Sequence, residues 1–182
     1  MPRKHHLRDL LERLTLILRA DDRRTPGLLP THRALLRYLG RANRYSNTPG
    51  AAALFLGQTK GTVSQSIALL ERRGLVKKTS EPADGRVVRL RLTARGRRAI
   101  DRNPDGAEVA LAHLAPAEAR SAAAALEGLL RALQRATGGR PFGTCPSCRW
   151  FLANPEDTRC GLTRDALNDW ETELLCVEHE GR

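Results

Sequence analysis

Leu7, Leu10, Leu11, Leu14, Ile17 and Leu18 recur at steps of three and four residues, which predicts a first helix with one apolar face. Thr25-Pro26-Gly27 ends it. Pro30-Thr31 opens a second helix whose buried stripe is Leu35, Leu36 and Leu39, closing near Gly40 and leaving Arg33, Arg37 and Arg41 to solvent. Thr48-Pro49 pairs a side-chain cap with proline at the first helical position and leads into Ala51, Ala52, Ala53, Leu54 and Leu56. Gly57 stops that helix, Thr59 caps the next, and Val63, Ile67 and Leu70 line its inner face before Gly74 supplies the terminating turn. Two short helices joined by a tight glycine turn result.

The period then changes from helical to alternating. Residues 75–78 and 87–92 read as two strands, the second alternating apolar and basic, with Pro82-Ala83-Asp84-Gly85-Arg86 as the connecting turn. Thr93 caps another helix, Pro104-Asp105-Gly106 interrupts it, and a short segment runs from Ala107 to Leu114. Pro116 opens a last long helix with Leu126, Leu129, Leu130 and Leu133 on one face, ending at Thr137-Gly138-Gly139. The expected fold is mainly α with a small β-hairpin. There is no internal repeat, and the alanine run at 122–125 favours helix.

Composition sharpens this picture. In 182 residues, 41% hydrophobic content is enough for a core, and an aromatic content of only 4% means aliphatic helix packing. The net charge of +11 is unevenly spread: residues 31–102 carry 16 Lys/Arg against 4 Asp/Glu, and residues 141–182 carry 4 against 8. A basic middle suits a polyphosphate partner, because each neutralised phosphate releases condensed counterions. No apolar run reaches the length of a membrane span and the start lacks a signal-peptide core, so a cytoplasmic location is expected.

Helical geometry then assigns faces to the segment from Lys60 to Arg73. At roughly 100° per residue, placing Val63, Ile67 and Leu70 inward turns Gly61, Gln65, Ala68 and Arg72 outward, with Thr62 and Ser64 flanking them. Small and hydrogen-bonding residues let such a helix approach base edges, Gln65 pairing bidentately with adenine and Ser or Thr with several bases. Thr59 and Lys60 lie at its start, where Lys60 suits a phosphate, and Arg86 at the hairpin tip reaches the backbone or minor groove alongside. This is the layout of a winged helix-turn-helix reading double-stranded DNA.

Arg37-Tyr38-Leu39-Gly40, Thr59-Lys60-Gly61-Thr62-Val63-Ser64, Leu70-Glu71-Arg72-Arg73-Gly74-Leu75-Val76, Asp84-Gly85-Arg86 and Leu92-Thr93-Ala94-Arg95-Gly96 together resemble the MarR family of bacterial regulators. The Asp-Gly-Arg tip followed by Leu-Thr-x-x-Gly is the most specific part. The resemblance covers about residues 7–137 in order of elements and 31–98 in motif detail. It implies a winged-helix homodimer in which N- and C-terminal helices of two subunits interlock, which gives the leucine faces starting at Leu7 and Pro116 a partner. It also implies a transcriptional repressor rather than an enzyme, and no nucleophile-and-base pairing stands out in the sequence. His5, His6, His32 and His113 have no ligand partners at recognisable spacing, so solvent or helix-surface roles are expected of them, and Asp21-Asp22 reads as a solvated helix end.

The tail departs from that family, whose members end near the last dimer helix. Cys145-Pro146-Ser147-Cys148, Cys160 and Cys176-Val177-Glu178-His179 put five metal-binding side chains into a segment too small for its own core. In a reducing compartment metal ligation is the better reading than disulfides. Zinc fits C-x2-C paired with C-x2-H, held by three cysteines plus a fourth cysteine or a histidine; a four-cysteine 4Fe-4S cluster with Cys160 and Cys176 as third and fourth ligands, leaving His179 outside, is the alternative. Trp150 and Phe151 would dock the tail or shield a cluster. A catalytic Cys-Pro-Ser-Cys dithiol is disfavoured, because no βαβ pattern surrounds it. The expected organisation is an N-terminal dimerisation helix at 1–30, a DNA-binding domain at 31–102, C-terminal dimerisation helices at 103–139 and a metal-binding tail at 140–182. A metal-stabilised scaffold for protein partners, without specific DNA binding, is the competing function.

Overall fold

The computed structural model describes residues 2–22, 27–81, 85–101, 106–154 and 157–182, with side chains from 5 to 20 in the first helix. Its helices are α1 (Pro2–Asp22), α2 (Pro30–Arg41), α3 (Pro49–Leu56), α4 (Lys60–Arg72), α5 (Ala94–Asp101), α6 (Gly106–Ala112), α7 (Pro116–Thr137) and α8 (Asp169–Thr172). The strands are β1 (Val76–Ser80), β2 (Val88–Leu92), β3 (Phe151–Leu152) and β4 (Arg159–Cys160), paired β1 with β2 and β3 with β4, both antiparallel. The expected turn at Thr25-Pro26, the Pro82–Asp84 part of the hairpin tip, the break at Pro104-Asp105 and the side chains of Asp21 and Asp22 lie outside the described residues. Among the described residues, no helix is long and apolar enough to cross a membrane.

The core sits where α2, α3 and α4 meet the hairpin. Leu35, Leu36, Val63, Ile67, Leu70 and Leu90 are each at most 1% exposed. The buried side chains of α3 are the small Ala51, Ala52 and Ala53, which let its neighbours approach its backbone closely, while Leu56 packs half-buried against the core. Thr48 caps α3 by accepting a hydrogen bond from the Ala51 amide, and Gly57 ends it in the left-handed conformation at φ 59°, a geometry that favours glycine.

The hairpin closes the core through Val76, Leu90 and Leu92, in the register Val76↔Leu92 and Lys78↔Leu90. The Leu92-Thr93-Ala94-Arg95-Gly96 run is a joint. The Thr93 hydroxyl donates to the Gly74 carbonyl at 2.7 Å and accepts from the Gly96 amide at 3.0 Å, capping α5. A Cβ on Gly96 would lie 2.1 Å from the Leu75 carbonyl oxygen, so only glycine lets α5 rest on that backbone.

Two expectations about α2 need correction. Arg33 is buried, not left to solvent, because α2 is enclosed on more than its leucine stripe. His32 is buried as well and does not lie on the surface: its Nδ1 accepts from the Leu29 amide at 3.2 Å, satisfying a donor at the start of α2. Burial and the Arg73 charge hold its pKa below the ordinary value.

Outside this core, α1 and α7 carry their apolar faces uncovered. Leu7, Leu10, Leu14, Ile17 and Leu18 on α1, and Leu126, Leu130 and Leu133 on α7, are all exposed.

Candidate nucleic-acid interface and cysteine cavity

α4 is held by its inner face and presents the other. Thr59 accepts from the Thr62 amide at 3.2 Å, and the two hydroxyls lie 2.9 Å apart, which fixes the first turn. Lys60, Gly61, Thr62, Ser64, Gln65 and Arg72 are exposed, as the helical periodicity predicts. Ala68 is half-buried, and Ser66 turns inward to donate to the Thr62 carbonyl at 3.0 Å. Gly61 meets nothing closer than the Thr59 hydroxyl, so the helix start can approach a surface closely.

The hairpin adds charges that the periodicity alone did not single out. Lys77 and Arg91 are directly opposite across the strands and both are exposed. Like charges in that position repel unless a polyanion lies over them. Arg86, in the turn after the tip, is exposed. Arg89 serves a different purpose: its Nε donates to Glu81 at 2.8 Å, and its guanidinium also donates to the Arg44 carbonyl at 2.6 Å. It therefore ties the hairpin to the loop between α2 and α3. The Leu90 amide, donating to the Asn47 carbonyl at 2.7 Å, is a second tie.

That loop, residues 42–48, is also where the tail docks. Leu175 lies alongside Ala42 in a parallel bridge, its amide donating to the Arg41 carbonyl at 2.7 Å and its carbonyl accepting from the Asn43 amide at 3.0 Å. The Ser46 hydroxyl, fully buried, accepts from the Val177 amide at 2.8 Å. Arg44 forms a two-pronged pair with Glu171, Nε to Oε1 being 2.8 Å. Burial pushes the Glu171 carboxyl up, but the hydrogen bond and charge of Arg44 outweigh it and hold the pKa below the usual value. Tyr45 bonds Asp165 and Thr163; burial and the Asp165 hydrogen bond push its hydroxyl up to about 12. The anchoring ring is Phe142, edge-on to Phe55 at 5.2 Å and to Tyr38 at 6.3 Å.

Cys145, Cys148, Cys160 and Cys176 wall one largely enclosed cavity, together with Trp150, Phe151, Leu162 and Leu167 from the tail and with Asn43 and Tyr45 from the docking loop. All four are free thiols. Burial pushes the Cys145 thiol up to about 11, and the nearness of Cys176, Cys148 and Cys160 acts in the same direction. The Asn43 side chain hydrogen-bonds Cys176 while its Oδ1 accepts from the Ser46 amide and hydroxyl at 3.0 and 2.7 Å. Among the described residues, no three His, Cys, Asp or Glu side chains converge at single-ion distance.

The fifth side chain of the expected ligand set lies elsewhere. His179 does not line the cavity; its Nε2 lies 2.9 Å from the Ser147 hydroxyl, and its ring packs on Gly143, where a Cβ would come within 2.6 Å. Burial holds its pKa low. It buttresses the Cys-Pro-Ser-Cys turn from behind. Asn43, Tyr45 and Phe142 were not foreseen. The polar run Asn43-Arg44-Tyr45-Ser46-Asn47 gave no periodic signal, and only the tertiary fold brings it to the tail.

Comparison with known proteins places this geometry in context. Residues 27–87, a third of the chain, match the MarR family. A MarR family transcriptional regulator from Streptomyces coelicolor, solved in complex with DNA, superposes with a TM-score of 0.56 at 24% identity, covering 72% of this chain and 87% of that one. A mutant of MepR from S. aureus gives 0.52 at 20% identity, with 72% and 98% covered. FabT of Streptococcus pneumoniae in complex with DNA gives 0.51 at 20% identity, with 75% and 98% covered. No curated protein matches the chain. The likeness establishes a mostly helical winged-helix fold with a small antiparallel hairpin.

Proposed function

We propose that this chain is a transcriptional regulator of the MarR family, a homodimer that binds double-stranded DNA sequence-specifically and acts as a repressor. The observation that carries the reading is one polar helix face, Gly61 to Gln65, standing beside a hairpin whose Lys77 and Arg91 oppose each other without a counter-charge between them in register. Both elements suit a single duplex, the helix in the major groove and the hairpin on the adjacent backbone. The MarR match over residues 27–87 and the two winged-helix structures solved with DNA support it.

Dimerisation is supported by the leucines left bare on α1 and α7. A single chain exposing that much apolar surface at helical spacing gains by covering it with a second copy. Sedimentation at micromolar concentration is expected to give a dimer; a monomer alone would remove the symmetric-operator reading. Repression needs no contact beyond occupancy of a promoter.

The roles of individual residues separate in a base-substitution binding assay. Gln65→Ala is expected to change which bases are preferred, whereas Lys60→Ala and Arg86→Ala weaken binding to all sequences and flatten its salt dependence. An unchanged preference at every position for Gln65→Ala would overturn this placement of α4 in the groove.

A further inference from the structure

We propose that the four-cysteine cavity binds a 4Fe-4S cluster, and that its loading is passed to the DNA-reading elements through the loop at residues 42–48. The first half stands on the tail alone; the second rests on the regulator reading above.

The donor set is the first argument. Cys145 and Cys148 come from one turn, Cys160 from the end of β4 and Cys176 from the bridge to Gly143, and all four reach the same cavity. The one candidate imidazole, His179, does not line the cavity, and its Nε2 lies against the Ser147 hydroxyl. An all-thiolate set in an apolar enclosure matches iron-sulfur ligation.

Spacing is the second argument. A tetrahedral zinc site draws its sulfurs to about 2.3 Å from one point, so they stand about 3.8 Å from one another. Here the four cysteines line one cavity, and among the described residues no three donors form a single-ion site. A cubane cluster takes one thiolate at each iron corner, a demand that four cysteines around one cavity can meet.

Third, the wall supplies what a cluster needs beyond its ligands. Trp150, Phe151, Leu162 and Leu167 keep water away from it. The Trp150 indole Nε1 is a buried donor with no hydrogen-bond partner, and a sulfide or thiolate sulfur at the cavity is an acceptor of the right kind. Asn43 and the Glu178 backbone already bond Cys176, as groups that tune a metal-bound thiolate do. Loading is ligand exchange: a preassembled cluster core takes four thiolates, four S–H protons leave to solvent, and no electron is transferred.

Asn43 makes the connection to DNA. The same carboxamide holds Cys176 and, through Ser46, the loop that runs directly into the Thr48 cap of α3. From that loop the Arg44 and Asn47 carbonyls hold Arg89 and Leu90 of the hairpin. Drawing Cys176 onto a cluster therefore acts on the base of the helix-turn-helix and of the hairpin together.

The test uses the full chain purified without oxygen. Four irons and four sulfides per chain are expected, with a broad visible absorbance that Cys160→Ser abolishes and His179→Ala retains. One zinc per chain without sulfide, whether His179→Ala loses it or keeps it, would overturn the cluster. DNA affinity of the loaded chain and of Cys160→Ser, measured on the same preferred duplex, is expected to differ at least tenfold. Should Cys160→Ser aggregate, the wild-type chain stripped of iron by a chelator and then reloaded with iron and sulfide gives the same comparison. Equal affinity in the two states overturns the coupling while leaving the cluster standing. Failure of both states to prefer any duplex would instead strike at the regulator reading.

Discussion

Leu35, Leu36, Val63, Ile67, Leu70 and Leu90 give the winged-helix body a closed aliphatic core, whereas among the described residues of the tail only Cys148, Leu167 and Val177 are buried apolar side chains. The body folds around what it removes from water. The tail is fastened by backbone bridges, the Arg44–Glu171 pair and the Phe142 ring against Phe55 and Tyr38, and its cysteines line a cavity. Two modes of stabilisation in one chain mean that the two parts can be perturbed separately.

The largest effect is expected from the core. Ile67→Ala removes a side chain that is 1% exposed, at a cost of about 2–5 kcal/mol, and should lower the denaturation midpoint and DNA affinity together. If its cost were under about 1 kcal/mol, α4 would not be anchored as described. Next comes removal of the proposed cluster with a strong iron chelator. Amide hydrogen exchange in 140–182 should accelerate while α2 and α4 stay protected; uniform acceleration in both regions would erase the contrast.

Glu171→Gln should have a smaller consequence. It weakens a pair in which the carboxylate is buried and the guanidinium half-exposed, so roughly 1–2 kcal/mol of docking stability is at stake. Protection should fall at Leu175 and Val177 and not at Ile67. The smallest effect is a pH dependence. His32 has its folded pKa below the ordinary histidine value of 6.5, so its neutral form favours folding; the contribution is present above 6.5 and is lost as pH falls through the folded pKa. Acidification should lower the denaturation midpoint, and His32→Gln, whose carbonyl accepts from Leu29 at either pH, should reduce that slope.

The same contrast explains how far the sequence alone could be read. Local signals carried the body: proline after threonine at α3, glycine at 57 and 74, and alternation along β2 each act within a few residues. Strand ends moved by one or two residues, from 75–78 and 87–92 to Val76–Ser80 and Val88–Leu92, because pairing register rather than composition sets them. The outer face of α4 followed from helical geometry, apart from the half-buried Ala68. The cysteines were visible as a set of possible ligands, but spacing could not choose between Cys160 and His179. That choice depends on which side chains share a cavity and on a polar loop more than a hundred residues away in sequence. His32 and Arg33 were misplaced for a related reason: a polar residue on a helix reads as exposed unless the partner that buries it is known.

The most direct measurement is duplex binding by the purified protein over a range of salt, with a selected preferred site set against unrelated sequence. A preferred site bound on the order of 10³-fold more tightly, with affinity falling steadily as salt rises, is the expected result. Equal affinity for every duplex, or none for any, would contradict a sequence-specific regulator and leave the protein-binding scaffold as the reading to pursue.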